Sequence, residues 1–217
     1  MLKSILIGTR PSRLALKQVD EIARRLPEID FDIVPIETRG DKDKVTPLTG
    51  PNKDDFFTYE IEKALLEGEI DVAVHSAKDL EEVPPQGLVI AARTGSVSPF
   101  ECLISKGDLK LKELPPGAVV GTSSHKRKTA VINFRRDLKV KDIRGNIDER
   151  IRQLEEGKFD AIIIAHAALI RLGFEERISE IIPPDIIAPH PLQGRLSIQV
   201  RADRKELIGL FGSIDGE

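Results

Sequence analysis

The sequence predicts an α/β fold with mixed, mostly parallel sheets, built as two domains of related construction. Three observations carry this. Short apolar runs alternate with helical patterns along the chain, the order that sets parallel strands side by side with helices crossing between them. "LLEGEIDVAV" (65–74) and "LEEGKFDAII" (154–163) each end a helix, cap it with glycine and enter a strand through Asp. "IGTRPSRLAL" (7–16) and "VGTSSHKRKTAV" (120–131) each place Gly-Thr behind a strand and Ser before a helix.

In chain order, "SILIG" (4–8) is a buried strand, Ser12 opens a helix that runs to Leu26, and "FDIVPIE" (31–37) is the next strand. A polar loop precedes a helix from Phe57 to Glu67, closed by Gly68, and the strand entered at Asp71 follows. "ARTGSVSPFE" (92–101), with small residues and Pro99, suits a crossing between domains. In the second domain, "DIRGNIDERI" (142–151) ends a strand with Arg144, turns at Gly145-Asn146 and starts a helix, and "AIIIA" (161–165) is again a strand. "IAPHPLQG" (187–194) reads as a second crossing that returns the last helix, "ADRKELIGLFG", to the first domain. The expected domains are 1–95 with 193–217, and 96–192, with the cleft between them as the ligand site.

The bulk numbers narrow the function classes. With 33 Lys and Arg against 36 Asp and Glu, the formal charge of -3 argues against nucleic acid as a partner. Aromatic residues make up 4% and Trp is missing, so no base-stacking surface is expected. No segment has membrane-spanning length or the apolar core of a secretory signal, which makes the cytoplasm the expected location. The single cysteine, Cys102 in "ECLIS", excludes an intrachain disulfide and reads as a buried strand residue. His75 and His166 read as packed histidines, and no spacing of His, Asp or Glu resembles a metal site.

The candidate chemistry begins in "DVAVHSAKDL" (71–80). Its repeat partner continues as "DAIIIAHAAL", whereas this copy delivers Ser76, Lys78 and Asp79. A helix N-terminus capped by Ser or Asp is the alternative reading of that stretch. The two Gly-Thr turns carry Arg10 and Ser12 in the first domain and Ser124, Lys126 and Arg127 in the second. Free amides, hydroxyls and cations at strand-to-helix turns suit an anion. Arg144 and Arg150 add guanidinium groups suited to carboxylates. Several fixed cations around one carboxylate read as a site for a poly-anionic ligand, with Asp79 placed to meet N–H donors or developing positive charge.

"GTRPSRLALKQ", "ETRGD", "DVAVHSAKDL", "GTSSHKRK", "DIRGNIDERI", "FDAIIIAHAALIRLG" and "LQG" occur in the order and at the spacing of one family. The chain resembles porphobilinogen deaminases, also called hydroxymethylbilane synthases, which couple four pyrroles in tetrapyrrole and heme biosynthesis. The resemblance implies two domains resembling type II periplasmic binding proteins, with substrate and growing chain in the active-site cleft. It gives Asp79 the catalytic role: binding pyrrole N–H groups, assisting loss of ammonia and stabilising the cation formed. It makes Arg10, Ser12, Ser76, Lys78, Ser124, Lys126, Arg127, Arg144, Arg150, Arg171 and Gln193 the partners of pyrrole carboxylates.

The resemblance also implies a dipyrromethane cofactor, held in the family by a thioether to a cysteine of a small third domain. Cys102 does not match that position, and the third domain would begin where this sequence stops, at Glu217. The expectation is a cofactor held non-covalently or absent, or a third domain supplied by a partner chain. Two further departures are Lys126, where the family usually has Arg, and "TGPNKDDFF" (49–57), which leaves Lys53 as the loop's one cation. The competing function is a non-catalytic module that binds pyrrole carboxylates or another poly-anion.

Overall fold

The computed structural model describes residues 4–43 and 55–216; Lys53 and the adjoining part of its loop lie outside them. In chain order the first elements are β1 (Ile5–Thr9), α1 (Arg13–Arg25), β2 (Phe31–Pro35), α2 (Arg39–Lys42), α3 (Tyr59–Glu67), β3 (Val72–Ser76) and β4 (Leu88–Arg93). Next come β5 (Glu101–Ser105), β6 (Val119–Gly121), α4 (His125–Phe134), β7 (Lys139–Lys141), α5 (Ile147–Glu155), β8 (Ala161–Ala165), α6 (His166–Leu172) and β9 (Glu180–Ile182). β10 (Leu196–Arg201) and α7 (Lys205–Gly212) close the order.

The described residues form two compact units. One takes the chain up to Asp43, from 55 to Val97, and from Gly194 onward; the other takes Ser98–Gln193. The first unit's sheet runs β2-β1-β3-β10-β4 and the second unit's runs β7-β6-β8-β5-β9. β10 lies antiparallel between β3 and β4, and β5 lies antiparallel between β8 and β9, while the other pairings are parallel. In each sheet, therefore, four strands run one way and one opposes them. The opposing strand is in both cases the first after the chain changes unit.

The repeat seen in the sequence is a repeat of hydrogen bonds. The Asp71 amide donates to the Leu6 carbonyl at 2.9 Å, and its Oδ2 accepts from the Leu6 amide at 3.1 Å. Asp160 makes the same pair with Val119, at 2.8 Å in both directions. Each Asp fixes where its strand starts against its parallel neighbour. The glycines of the Gly-Thr turns also share one cause. A Cβ on Gly8 would lie 2.2 Å from Ile70 Cδ1, and one on Gly121 would lie 2.9 Å from Phe159 Cδ1. Ile70 and Phe159 each precede the repeat Asp, so the same apolar residue presses on the same turn.

Local sequence explains the helices. Ser12 caps α1 by accepting from the Ala15 amide at 3.3 Å, and the helix buries Ala15, Val19 and Ile22 while Arg24 and Arg25 occupy its last turn. Gly68 ends α3 at a φ of 76°. In the first unit, α1 and α7 pack one face of the sheet through Val19, Ile22, Leu207 and Phe211. On the other face Ile61, Ala64 and Leu65 of α3 meet Ala73 and Ile70. The second unit's core centres on Leu103, Val120, Val131, Ala161 and Ile163. β8 reads Ala-Ile-Ile-Ile-Ala because a central strand is covered on both faces.

Where the sequence places Arg144 at a strand's end, β7 stops three residues earlier, at Lys141. The chain leaves the ladder because buried Ile143 is tied elsewhere: its amide donates to Ser123 Oγ at 3.1 Å and its carbonyl accepts from that hydroxyl at 2.6 Å. Phe211, fully buried on α7, is the largest side chain with which the returning segment closes the first core. Phe211→Ala is expected to lower stability by about 3–5 kcal/mol, read from urea unfolding.

Candidate functional site

In the first unit β1 and β3 are parallel neighbours, so their C-terminal ends lie together, the end at which open α/β sheets present ligand groups. Arg10 and Ser12 leave β1; Ser76, Lys78 and Asp79 leave β3. Ser76 Oγ accepts from Gln18 Nε2 at 2.9 Å, and the Ala77 amide donates to the Arg195 carbonyl at 3.0 Å, the last bond before the chain turns away. A single 3-10 turn, Ala77–Asp79, then holds Lys78 and Asp79 half-buried. Among the described residues the Asp79 carboxylate has no hydrogen-bond or ion-pair partner.

The corresponding step in the second unit differs. The His166 amide donates to the Phe100 carbonyl at 3.1 Å, matching Ala77 and Arg195, but β8 runs directly into the seven-residue helix α6. Ala167 and Ala168 are buried there, at the positions of Lys78 and Asp79. The 3-10 turn with its two charges is therefore particular to the first copy. Neither helix N-terminus expected to face an anion carries an acid: the first turns of α1 and α4 have none, unlike α5 with Asp148 and Glu149. Their positive ends remain available to a carboxylate.

Arg10 is already held. Its Nε donates to Asp41 Oδ1 at 3.1 Å and to Oδ2 at 3.2 Å, its Nη2 donates to Oδ1, and its Cζ lies 4.3 Å from the Phe57 ring centroid. Asp41 Oδ2 accepts from the Thr38 amide at 3.2 Å and the Thr38 hydroxyl at 2.8 Å. Burial alone would raise the Asp41 pKa; the hydrogen bonds and charge of Arg10, with Thr38, outweigh it and hold the carboxyl below its usual range. Sequence reasoning assigned no role to Asp41, although Thr-x-x-Asp over 38–41 is a capping-box spacing. Gln18 was also missed; its signal was an amide on the buried stripe of α1.

In the second unit Ser124 caps α4, its Oγ accepting from the Arg127 amide at 3.4 Å, and exposed Lys126 donates to the Pro189 carbonyl at 3.2 Å. Arg127, expected among the open cations, turns inward instead. Its Nη2 donates to Glu101 Oε2 at 2.6 Å and its Nη1 to the Ile163 carbonyl at 3.2 Å, with both side chains of the ion pair buried. Arg144 lies in the turn after β7, and Arg150 on α5 donates from Nε to the Gly145 carbonyl at 2.8 Å. Arg171 is in the last turn of α6. Gln193 is buried at the edge of the unit, with Nε2 donating to the Pro99 and Phe100 carbonyls at 3.2 and 3.1 Å. Ser124 and Lys126 thus follow β6, and Arg144 and Arg150 follow its parallel neighbour β7, whereas Arg127 and Gln193 are buried.

Two other groups are set by burial. Cys102 is enclosed on β5, its Sγ 3.2 Å from the Ile164 carbonyl, and burial with the Glu101 charge pushes its thiol up to about 12. It is a core residue rather than a nucleophile. His75 lies beneath α3 beside Gln199, whose Nε2 donates to Glu62 Oε1 at 2.8 Å. Burial, reinforced by the Arg10 charge and opposed by Gln199, pushes the His75 imidazole down to about 4, while burial raises Glu62.

The sequence model of the family described as "Porphobilinogen deaminase, dipyromethane cofactor binding domain" matches residues 5–209. The chain is 44% identical to the porphobilinogen deaminase of Brevibacillus brevis over 213 residues, which cover 96% of this chain and 69% of that protein. It is 42% identical to the porphobilinogen deaminase of Desulforudis audaxviator, with 99% and 71% covered. Among solved structures it resembles a putative methionine-binding lipoprotein of Bacillus subtilis, with a TM-score of 0.58 at 14% identity over 99% of this chain and 91% of that one. It also resembles the regulatory domain of OxyR2 from Vibrio vulnificus, with a TM-score of 0.55 at 16% identity over 98% and 94%. These two likenesses concern the fold, which is of the type II periplasmic-binding-protein kind.

Two outcomes follow from these environments. Arg127→Ala strands the buried Glu101 carboxylate and is expected to cost about 3–5 kcal/mol of stability, partly recovered when Glu101→Ala is added, as measured by denaturant unfolding. His75 stays neutral when folded, whereas an unfolded histidine protonates near 6.5. The unfolded state therefore binds more protons between about 4 and 6.5, and this contribution to stability is lost as pH falls through that window. Urea unfolding of His75→Gln should show a shallower loss from pH 7 to pH 4 than the parent; Glu62, which acts in the opposite direction, is common to both.

Proposed function

Because the chain belongs to the porphobilinogen deaminase family, we propose that it is a transferase of tetrapyrrole biosynthesis that condenses porphobilinogen into hydroxymethylbilane with release of ammonia. The observation that carries this reading is Asp79, a half-buried carboxylate on a turn that the other half of the repeat replaces with buried Ala168. It follows the end of β3, the parallel neighbour of the strand β1 from which Arg10 and Ser12 leave.

The donor chemistry supports a ligand with several carboxylates. Porphobilinogen and dipyrromethane both carry acetate and propionate groups, and acid-free helix starts, hydroxyls and cations complement them. In this reading Arg10, Ser12, Ser76 and Lys78 bind carboxylates from the first unit, and Ser124, Lys126, Arg144, Arg150 and Arg171 do so from the second. Arg127 and Gln193 support that second set from beneath. Bound dipyrromethane would supply the pyrrole end to which the first unit is joined. An Asp79 oxygen accepts the pyrrole N–H of porphobilinogen. As the C–N bond of the protonated aminomethyl group breaks and its nitrogen leaves as ammonia, the methylene carbon left on the pyrrole becomes electron-poor, and the fixed negative charge of Asp79 stabilises the cation that results.

Cys102 takes no part in holding dipyrromethane, since its sulfur is buried. In this reading the cationic set holds the carboxylates of the cofactor. No helix among the described residues is long and apolar enough to cross a membrane. The proposed site of action, on the strength of the family alone, is the cytoplasm.

Purified protein incubated with porphobilinogen is expected to yield hydroxymethylbilane, detected as uroporphyrin after cyclisation and oxidation. Asp79→Asn should lower turnover by about 10²–10⁴-fold while calorimetry still detects porphobilinogen binding. Absence of product from the parent chain, with dipyrromethane added, would sink the proposal.

A further inference from the structure

We propose that Asp41 is a positioning residue: it fixes the Arg10 guanidinium so that the Nη1 edge is the one offered to a ligand carboxylate. The ligand's identity rests on the function proposed above; the fixing of Arg10 does not.

An arginine that ends a strand and enters a turn has four rotatable side-chain torsions, and each must be held if the guanidinium is to meet a carboxylate in one geometry. Here three constraints act together. Asp41 takes the Nε and Nη2 donors of one edge, leaving Nη1 without a hydrogen bond among the described residues. The Phe57 ring covers one face of the guanidinium at 4.3 Å. Asp41 is itself immobilised by the Thr38 amide and hydroxyl.

Gly40 makes the arrangement sterically possible. A Cβ at that position would lie 2.1 Å from Phe57 Cε1 and 2.9 Å from the Phe56 carbonyl oxygen, and the Gly40 amide donates to that same oxygen at 2.9 Å. The short helix α2 is thereby drawn against the residues just ahead of α3, which brings Asp41 and Phe57 to the same guanidinium. Asp41 is ionised at neutral pH, held there by its donors, so the pair is an ion pair when a ligand arrives. The added carboxylate meets a cation whose direction is already set and whose net field is reduced by its internal partner. Asp41 thus trades some attraction for orientation.

The test has one arm that does not depend on turnover. In ¹⁵N NMR of the full chain, rotation of the Arg10 guanidinium about its Nε–Cζ bond should be slow in the parent and at least about fivefold faster in Asp41→Asn; equal rates overturn the clamp. In the second arm, Asp41→Asn should raise KM for porphobilinogen about tenfold with kcat within about twofold, and Asp41→Glu should recover part of the loss. Phe57→Leu, which spares the ion pair, should raise KM about threefold. A fall in kcat at unchanged KM, or no recovery with Glu at an unchanged Tm, overturns the positioning role. A parent chain that makes no product but shows slow Arg10 rotation overturns the proposed function and leaves the clamp standing.

Discussion

The placement of the strand-to-helix turns in both units depends on the backbone pairing that Asp71 imposes on Leu6 and Asp160 imposes on Val119. A parallel strand pair has no hairpin to set its register, so something other than a short turn must decide which residues stand opposite one another. A carboxylate at the strand entrance that accepts the neighbour's amide, while its own amide returns the bond, does so in both units. A slip of one residue would exchange the faces of β3. Val72 and Val74 would leave the core shared with α1 and α7, and the turn bearing Asp79 would emerge displaced from the turn bearing Arg10.

The same fold then treats two arginines in related turns differently. Arg10 stays partly exposed and shares its charge with Asp41 across one edge. Arg127 is drawn inside and spends its donors on Glu101 and the Ile163 carbonyl. The difference lies in what each partner strand or helix offers. Asp41 sits on a one-turn helix, whereas Glu101 sits on β5 between the strands β8 and β9. A buried pair of this kind orders the polypeptide; a half-exposed one orders a single side chain.

How much of this the sequence disclosed depends on whether the cause is local. Strand-to-helix turns and the glycines after helices were legible because the reason for each lies within a few residues of it; the repeat Asp was legible only because it recurs, since its partners Leu6 and Val119 are 65 and 41 residues away. Comparing the two copies also isolated Ser76, Lys78 and Asp79, since the apolar version in residues 161–168 shows what a purely structural strand exit looks like. The inward turn of Arg127 was not legible, because Glu101 is 26 residues away on a strand whose neighbours are set by tertiary pairing. The end of β7 was misjudged for a similar reason, as Ser123 captures Ile143 from another turn. Asp41 left a faint mark in its spacing from Thr38, but only the packing of Phe57 over Gly40 connects it with Arg10.

The opposing strands carry a consequence for biosynthesis. Among the described residues the second unit is one uninterrupted segment, from Ser98 to Gln193, and can close as soon as it leaves the ribosome. The first unit cannot: β10, which belongs between β3 and β4, emerges roughly a hundred residues after β4. Throughout that interval the nascent chain exposes two unpaired strand edges with Val72, Val74, Val89 and Ile90 along them. During synthesis, the unit that presents Asp79 is therefore the later of the two to become compact and the one more in need of protection.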